Sequence, residues 1–410
     1  MSEPATEALL TDCRVLDCAG ELGALCGRIL GDLGADVIKI EPPGGDPARH
    51  LGPFVGEVAH PDRSLRFWAA NANKRSAVLD LDTTDGAELL RRLAERAHIV
   101  VDSEAPGVMA RRGLDHAALA GCNPGMITVS ITPFGEDGPR SRWRGPDLVL
   151  AATSGQVHLN GDEDRPPVRI SIPQAAPQAG AQAAMAALIA RHHWRRTGRG
   201  QHIDLAVQEC LTNTLLTITQ AWDLTGRLYR RGARTGWGPI LQRTIWSCRD
   251  GFVAWKWFVG KQRGRRNDAM VAWMRDRGFG EALAGEDWEG YDLMQLTQEM
   301  VDRWEEAFAP FFAAHTMDEL YQGAIDRRIM LCPVSTPAAI RANEQLAFRR
   351  FFRPVRHPEL QRDVEYPGPF AQMSAGEPVV RRRPPLIGEH TDEVLAELAA
   401  DGASGVAHRS

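Results

Sequence analysis

Residues 13–41 read CRVLDCAGELGALCGRILGDLGADVIKIE, and this stretch decides the predicted fold. Two short apolar runs, at 14–17 and 36–40, predict strands. The residues between them, 25–33, repeat their apolar side chains at the spacing of a helix, which Gly34 ends. A strand, a helix and a second strand in this order form a crossover unit, which predicts that the two strands lie parallel in one sheet.

The same alternation continues along the chain. Strands are predicted at 76–81, 98–101 and 126–131, and a helix begins near Thr84 between the first two. Repeated units of this kind indicate an α/β domain with a doubly wound parallel sheet, in which ligands bind at the carboxyl ends of the strands. The glycines after the first strand do not spell G-x-G-x-x-G, so a dinucleotide site is not predicted.

Composition changes in the middle of the chain. Residues 180–194 predict a tightly packed helix with six alanines, and eight of the eleven tryptophans then fall between Trp222 and Trp304. The tryptophans indicate a second domain with an aromatic core of its own. The predicted division is therefore a large Rossmann-like domain at 1–205, a linker helix at 206–224, a small domain at 225–330 and a return to the large domain at 331–410.

Composition also excludes several classes of function. The 410 residues carry a net charge of −5 with 25% charged residues, which indicates neither a nucleic-acid partner nor a membrane partner. The polar start of the chain and the lack of an apolar run of roughly 18 residues predict a cytoplasmic protein. Seven cysteines without a C-x-x-C pair predict neither a disulfide framework nor a metal site.

Several short motifs occur in one characteristic order and spacing. They are Gly34-Ala-Asp-Val-Ile-Lys-Ile-Glu41, Asn71-Ala-Asn-Lys-Arg-Ser76, Thr197-Gly-Arg-Gly-Gln201 and Gly388-Glu-His-Thr391. Together they make nearly the whole chain resemble the family III CoA-transferases, the group of formyl-CoA transferase, carnitine CoA-transferase and α-methylacyl-CoA racemase. The resemblance implies a Rossmann-like large domain built from both ends of the chain, a smaller middle domain and an interlocked dimer. It also implies CoA thioesters as substrates, with no further cofactor.

One residue departs from that family at its defining position. The family carries an aspartate four residues before the glycine that begins the alanine-rich helix, and in this chain Ala176 stands four residues before Gly180. Counting back 22 positions from Gly198 gives Ala176 again. In the family the aspartate attacks the acyl-CoA thioester and forms a mixed anhydride, which a methyl group cannot do. The resemblance therefore implies that this chain has no catalytic nucleophile.

Other acidic residues lie near that position in sequence or by alignment. A shift that brought Asp162, Glu163 or Asp164 to the nucleophile position would exceed ten residues. Glu21 stands where formyl-CoA transferase has a glutamine that contacts the substrate, and Asp147 aligns with an acidic residue close to the missing aspartate in some members. The resemblance thus makes Glu21 and Asp147 possible acyl-site residues.

The resemblance also points to a set of CoA-binding residues. Asn73, Lys74 and Arg75 match the segment that approaches the nucleotide and phosphates in the family, and Arg111 and Arg144 align with basic residues near the CoA phosphates. Cationic side chains there would neutralise a ligand with three phosphate groups, and arginine can bind a phosphate with two parallel hydrogen bonds. Alternatively, these are ordinary surface arginines in a chain that contains many.

Three functions remain open for a chain without the nucleophile. The first, which we favour, is the silent subunit of a heteromeric CoA-transferase, paired with a homologous subunit that has the aspartate. Such a complex moves CoA from an acyl-CoA, with succinyl-CoA as one candidate, to a carboxylic acid. The family includes such assemblies, among them the succinyl-CoA:benzylsuccinate CoA-transferases of aromatic degradation. The second is a homo-oligomeric racemase- or hydratase-like enzyme, and the third is a non-catalytic CoA-binding protein.

Two further features bear on these alternatives. Racemases of this group pair the aspartate with a histidine, but His192 and His193 lie near the end of the alanine-rich helix and are interpreted as structural. The stretch Trp255-Lys-Trp257 either lines a pocket for an aromatic acid or belongs to the core of the small domain.

Overall fold

The computed structural model describes residues 9–406, except 163, 230, 233, 238 and 239. The chain forms two compact units. The large unit comprises the residues up to Val157, Arg169–Leu228 and the residues from Gln345 onward, and the small unit comprises His158–Val168 and Tyr229–Glu344.

The regular elements are numbered in chain order. The strands are β1 (Arg14–Asp17), β2 (Asp36–Glu41), β3 (Lys74–Val78), β4 (Ile99–Asp102), β5 (Ile127–Thr132), β6 (Gln201–Ala206), β7 (Arg234–Trp237), β8 (Ile240–Arg243), β9 (Ile245–Cys248), β10 (Gly251–Trp255), β11 (Leu331–Pro333), β12 (Phe352–His357) and β13 (Arg362–Pro367). The helices are α1 (Ala24–Asp32), α2 (Leu65–Asn71), α3 (Thr84–Ala94), α4 (Val108–Arg111), α5 (His116–Cys122), α6 (Asp147–Thr153), α7 (Ala175–Thr197), α8 (Val207–Asn213), α9 (Thr217–Thr225), α10 (Arg266–Asp276), α11 (Gln298–Ala314), α12 (Met317–Arg327), α13 (Pro337–Arg341), α14 (Glu344–Phe348) and α15 (Thr391–Val406).

The large unit is built on a six-stranded sheet in the order β3-β2-β1-β4-β5-β6, and every neighbouring pair is parallel. The strand order reverses between β1 and β4, so the sheet is doubly wound, and this confirms the predicted fold class. Side chains alternate between two cores: Val15 points to the face covered by α1 and α7, whereas Leu16 points to the face covered by α3, α5 and α15.

The boundaries of single elements differ from the prediction where polar side chains are buried. The third strand begins at Lys74 and not at Ser76, because Lys74 and Arg75 are buried polar residues that an apolar pattern does not detect. The predicted linker helix at 206–224 is instead the end of β6 followed by α8 and α9, all in the large unit. The small unit continues past the predicted return at 331, because β11 pairs with β10.

Helix α7 packs closely against α1. Six alanines of α7 are at most 1% exposed: Ala175, Ala179, Ala183, Ala184, Ala187 and Ala190. A Cβ atom on Gly180 would lie 2.7 Å from the Cβ of Leu25 and 3.1 Å from the backbone nitrogen of Cys26. Only glycine therefore permits this approach between the two helices.

The small unit has its own aromatic core, as its tryptophan content suggests. Trp255 and Trp257 are 4% and 1% exposed. Trp255 contacts Phe308 with ring centroids 4.6 Å apart, and Trp257 contacts Trp304 at 5.3 Å. The stretch Trp255-Lys-Trp257 is therefore part of a core, and the alternative of a pocket lined by these two rings is not supported.

Asn73 joins the C-terminal segment at residues 379–382 to the sheet through hydrogen bonds. The backbone φ angle of Asn73 is 65°, a positive value that asparagine tolerates better than most residues. Its amide nitrogen donates to Asp32 at 2.6 Å and to the carbonyl of Val379 at 2.7 Å. Its amide oxygen accepts from the backbone nitrogens of Arg381 and Arg382 at 2.7 and 3.0 Å. Both N–H groups and the oxygen of this amide form hydrogen bonds within the fold, so we expect a structural role for Asn73.

We predict that Asn73→Asp destabilises the chain by about 2–4 kcal/mol, because it removes two donors and places a carboxylate against Asp32. The matched control is Asn160→Asp, since none of the side-chain hydrogen bonds in the described part of the chain involves the Asn160 amide. Thermal unfolding followed by circular dichroism should show a midpoint several degrees lower for Asn73→Asp only. Equal midpoints for the two variants would contradict this role.

Candidate functional site

A cavity of about 460 Å³ lies at the amino end of α7, beside Ala176. Ala176 is the second residue of the helix and is half-buried. We call this space the Ala176 cavity. Its lining combines charged and small apolar residues: Glu21, Leu22, Arg66, Gly145, Pro146, Asp147, Leu148, Arg169, Pro173, Ala175 and Ala176.

Asp147 lines this cavity but is engaged by the helix. Its Oδ1 atom accepts hydrogen bonds from the backbone nitrogens of Gln174 at 2.7 Å and Ala175 at 2.9 Å. A carboxylate at this point satisfies free N–H groups of the first turn and opposes the positive end of the helix dipole. Asp147 therefore holds the start of α7, and with it Ala176, at the cavity wall.

Glu21 is the second carboxylate of the cavity, and it is paired. One of its oxygens lies 2.5 Å from the Arg66 guanidinium, and the two side chains are 38% and 36% exposed. Arg66 belongs to α2, so the pair joins the turn before α1 to α2. The structure thus brings together Glu21, Asp147 and Ala176, as the alignment implied, and leaves neither carboxylate without a partner.

The alternative acidic residues do not take the nucleophile position. Asp162 and Asp164 lie in the small unit, where each is within 4.0 Å of the exposed Arg165. Neither is in the described lining of the Ala176 cavity. Glu163 lies outside the described residues.

A second cavity, of about 310 Å³, opens at the carboxyl ends of β1 to β4, and we call it the strand-end cavity. Its lining comes from the residues that follow these strands: Cys18, Gly20, Lys39, Ile40, Glu41, Pro42, Asp46, Pro47, Leu79, Asp80, Leu81, Asp82, Ser103, Glu104 and Arg112. In doubly wound sheets ligands bind at this edge, beside the point where strand order reverses. The strand-end cavity is therefore the candidate binding site for CoA, the larger of the ligands that the resemblance implies.

Buried ion pairs make the floor of the strand-end cavity rigid. Lys39 lies 2.7 Å from Asp46 and donates to the carbonyl of Ala19. Burial alone would lower the pKa of Lys39, but Asp46 and Asp17 outweigh it and raise the pKa above its usual value. Lys39 therefore stays charged, with its ammonium group already bound by protein oxygens.

Lys74, which the resemblance places near CoA, lies in the interior of the chain. Its side chain is fully buried and donates three hydrogen bonds, to Asp17 at 2.6 Å, the carbonyl of Ala24 at 2.6 Å and Asn71 at 2.7 Å. An ammonium group has three donors, so none is left for a ligand. Burial lowers the pKa of Lys74, although Asp17 opposes this shift.

Arg75 is likewise committed to the fold. Its guanidinium binds Asp36 at 2.7 Å, Glu393 at 2.8 Å and Glu397 at 2.6 Å, and its side chain is 7% exposed. The two glutamates belong to α15, so Arg75 joins the C-terminal helix to the sheet. Asn73 and Arg75 lie at the amino end of β3, whereas the Lys74 side chain extends to Asp17 at the carboxyl end of β1. The contacts of all three side chains within the chain indicate a structural role, and their contact with CoA stays a prediction.

The two other predicted cations remain accessible. Arg111 ends α4, is exposed and donates to the carbonyl of Gly107 at 3.2 Å. It borders a polar hollow that shares Asp82 and Arg112 with the strand-end cavity. Arg144 is exposed and directly precedes Gly145 of the Ala176 cavity. Both side chains can reach solvent, so both stay candidates for CoA phosphate groups.

Four cations that line these cavities were not predicted as site residues: Lys39, Arg66, Arg112 and Arg169. Lys39 lies in a predicted strand, and the other three lie outside the motifs that carry the family resemblance. Lys39 had one signal, because a lysine inside the apolar run 36–40 must find a buried acid. For Arg66 and Arg169 the sequence shows no signal of a site, since only the folded chain brings them to Ala176.

Asp102 is a buried carboxylate at the end of β4. It is 5% exposed, accepts from the Ser130 hydroxyl at 2.9 Å and borders a polar cavity of about 430 Å³. Burial raises the pKa of Asp102 to about 6, and the nearby charges of Glu136 and Glu104 add to the shift. The ionised form of this carboxyl therefore costs free energy in the folded chain near neutral pH.

Neither a metal site nor a membrane-spanning helix is found among the described residues. The described His, Cys, Asp and Glu side chains include no group of three placed to hold a metal ion. Within the part of the chain that the structure describes, no helix is both long enough and apolar enough to cross a membrane.

Comparison with known proteins agrees with this geometry. Residues 10–391 match the profile of CoA-transferase family III. The chain is 34% identical to succinyl-CoA:(R)-benzylsuccinate CoA-transferase subunit BbsE of Thauera aromatica, over 94% of this chain and 93% of that one. It is 28% identical to succinyl-CoA–D-citramalate CoA-transferase of Chloroflexus aurantiacus, over 97% and 96%. The crystal structure of a CAIB/BAIF family protein from Brucella suis is similar with a TM-score of 0.83 and 26% identity, covering 96% of this chain and all of that one.

We predict that Asp102→Asn stabilises the chain at pH 8 by about 1–3 kcal/mol, with little effect at pH 4. Between the usual pKa of 3.8 and the folded value of about 6, the folded chain binds more protons than the unfolded chain. Wild-type stability therefore falls as pH rises through this window, and an amide does not ionise. Thermal midpoints from pH 4 to pH 8 test this, with Asp137→Asn in an exposed loop as the control. A gain that does not depend on pH would refute the explanation.

Proposed function

Because this chain belongs to CoA-transferase family III, we propose that it is the subunit without a nucleophile in a CoA-transferase built from two related chains. Its relatives are CoA-transferases, and the chain is such an enzyme or a component of one. The proposal concerns its role within the assembly, its partner and its substrates.

The observation that carries the proposal is the alanine at the wall of the Ala176 cavity. A nucleophile there needs a lone pair and an approach to the thioester carbon. Ala176 has none, Glu21 is paired with Arg66, and Asp147 holds the first turn of α7. No described carboxylate of this cavity is free to take over the role of the missing aspartate.

The chemistry explains why a partner is needed. In the family reaction a carboxylate oxygen bonds to the acyl carbon, the carbon–sulfur bond breaks and its electron pair leaves with the CoA thiolate. The thiolate then attacks the anhydride and the donor acid leaves. Both steps require a carboxylate that is covalently part of the protein. In our proposal a homologous chain supplies that aspartate, and this chain completes the assembly.

The surface of the large unit supports a protein partner. The outer faces of α1 and α7 and the segment after β13 form an apolar cleft of about 860 Å³. Met185, Ile189 and Phe370 on it are 58%, 63% and 67% exposed. A continuous apolar surface of this kind is typical of an interface between chains. The Thauera aromatica relative is itself named as a subunit.

The names of the relatives support a proposal for the classes of donor and acceptor. Both curated relatives described above are named for succinyl-CoA, and their acceptors, benzylsuccinate and citramalate, are dicarboxylic acids. We therefore propose succinyl-CoA as the donor and a dicarboxylic acid as the acceptor. CoA would lie against the strand-end cavity, with Arg111 and Arg144 near its phosphate groups.

A racemase-like reaction has less support in this chain. The histidines of α7 lie 16 residues beyond Ala176, which is about 24 Å along a helix axis. Neither His192 nor His193 is in the described lining of the Ala176 cavity. An acid–base pair at Ala176 would thus lack both of its members.

The proposal predicts where a covalent adduct forms. Incubated alone with succinyl-CoA, this chain should form no hydroxylamine-sensitive acyl or CoA adduct, because it has no nucleophile. In the complex with its partner, intact-mass analysis should place the adduct on the partner's aspartate only.

The variant Ala176→Asp tests whether the pocket around this position is still competent. The companion variant Ala176→Asn is the matched control, because it has the same size without the nucleophilic carboxylate. An adduct on Ala176→Asp alone would support the assignment of the position. Steady turnover by the purified wild-type chain without a partner would overturn the subunit role.

The proposed position of CoA predicts a local charge effect. Arg111→Gln should weaken CoA binding by about two- to tenfold at low salt and less at high salt, since exposed ion pairs are weak and screened. The control is Arg199→Gln, an exposed arginine just before β6 and therefore at the opposite edge of the sheet. Calorimetric titration with CoA measures both, and an equal loss in the two variants would remove Arg111 from the site.

A further inference from the structure

Of the four charged side chains in the described lining of the Ala176 cavity, three have a strong partner within the chain. Glu21 and Arg66 neutralise one another across 2.5 Å. Asp147 is bound to two backbone N–H groups at the positive end of α7. Arg169 is the remaining charged residue in the described lining, and the carboxylates of the cavity are thus already engaged by other groups.

Arg169 makes only weak contacts within the chain. One of its terminal nitrogens donates to the carbonyls of Ile170 and Ser171, both at 3.3 Å, and the residue is exposed. Among the described residues no carboxylate lies within 4.0 Å of this guanidinium, by contrast with Arg66. The planar edge of the group is therefore available to a ligand, and its two parallel donors match a carboxylate.

The cavity itself limits what such a ligand is. Its volume of about 460 Å³ is in the range of small-molecule sites and suits a short acyl chain. Its walls are otherwise small and apolar, with Leu22, Pro146 and Leu148 among them. A ligand that fills it therefore has a hydrocarbon body, one end near Ala176 and an anionic group for Arg169. A monocarboxylic acyl group with its carbonyl at Ala176 has no such second group.

We propose that Arg169 is the group that recognises the free carboxylate of a dicarboxylic substrate in the Ala176 cavity. This inference rests on the proposed function and adds the residue that selects dicarboxylic over monocarboxylic acids. The cavity of this chain binds the acid without forming a bond to it, because Ala176 offers no nucleophile. No covalent step is part of this inference.

Calorimetric titration with succinate, and with butyrate as the monocarboxylate of equal chain length, tests this role. The full-length chain is used alone or in the complex with which it purifies, and every variant is compared in the same preparation. Succinate should bind more tightly than butyrate to the wild-type chain. Arg169→Gln should weaken succinate binding by about tenfold or more and leave butyrate unchanged.

The matched control is Arg165→Gln, which removes an equally exposed arginine nearby in sequence but outside the cavity. It should bind succinate as the wild type does, and the thermal midpoints of both variants should match that of the wild type. Arg169→Lys keeps the charge without the planar pair of donors, so we expect an intermediate affinity. Equal binding of succinate and butyrate, or equal losses in Arg169→Gln and Arg165→Gln, would overturn the proposal.

These measurements use no CoA and detect no adduct, so they are independent of the test of the subunit role. Turnover by the chain alone would refute the silent subunit while a succinate effect at Arg169 still stood. A partner-dependent adduct with no succinate effect would refute only the role of Arg169.

Discussion

The close approach of α7 to α1 is the constraint on which the candidate site depends. Gly180 removes the side chain that would collide with Leu25, and the alanines that follow let the helix pack along the sheet. This contact places the first turn of α7 beside the turn that precedes α1. Ala176 and Glu21 meet for that reason, although they are far apart in sequence. Helix packing thus brings two of the segments that line the cavity together, and the loops that contain Gly145 and Arg169 complete it.

Buried ion pairs connect β1, β3 and the C-terminal helix of the large unit. A Cβ atom on Gly27 would lie 2.3 Å from Asp17, so the Asp17–Lys74 pair fits directly beneath α1. Removing one partner of such a pair leaves an uncompensated buried charge, which typically costs about 3–5 kcal/mol. Arg75 similarly connects the sheet to the C-terminal helix. Cations that by resemblance would face a nucleotide therefore serve in this chain to close the large unit.

The parallel sheet could be predicted from sequence because its strands are short apolar runs separated by helices with regular spacing. The same pattern failed at the start of β3, where the buried residues are a lysine and an arginine whose partners include Asp17, 57 residues away, and Glu393, 318 residues away. The count from Gly198 back to Ala176 runs along one continuous helix, and the assignment of Ala176 to the nucleophile position stays a prediction. Arg66 and Arg169 could not be predicted, because their place at the cavity depends on three segments meeting in space. The apolar periodicity of a segment indicates which face of that helix or strand is buried. It gives no information about which distant segments come together in the folded chain.

Glu21, Arg66 and Arg169 of the Ala176 cavity contribute little to folding, and this bears on why they are arranged as they are. An ion pair as exposed as Glu21–Arg66 typically contributes about 0–1 kcal/mol, and Arg169 makes no ion pair in the described structure. The helix packing beneath them is satisfied by alanine and leucine contacts that do not involve these side chains. An open cavity with an unmatched cation is therefore not explained by stability, even though the catalytic carboxylate is absent. Binding of an anionic substrate group explains both features, because it needs the cation and the space but not the nucleophile.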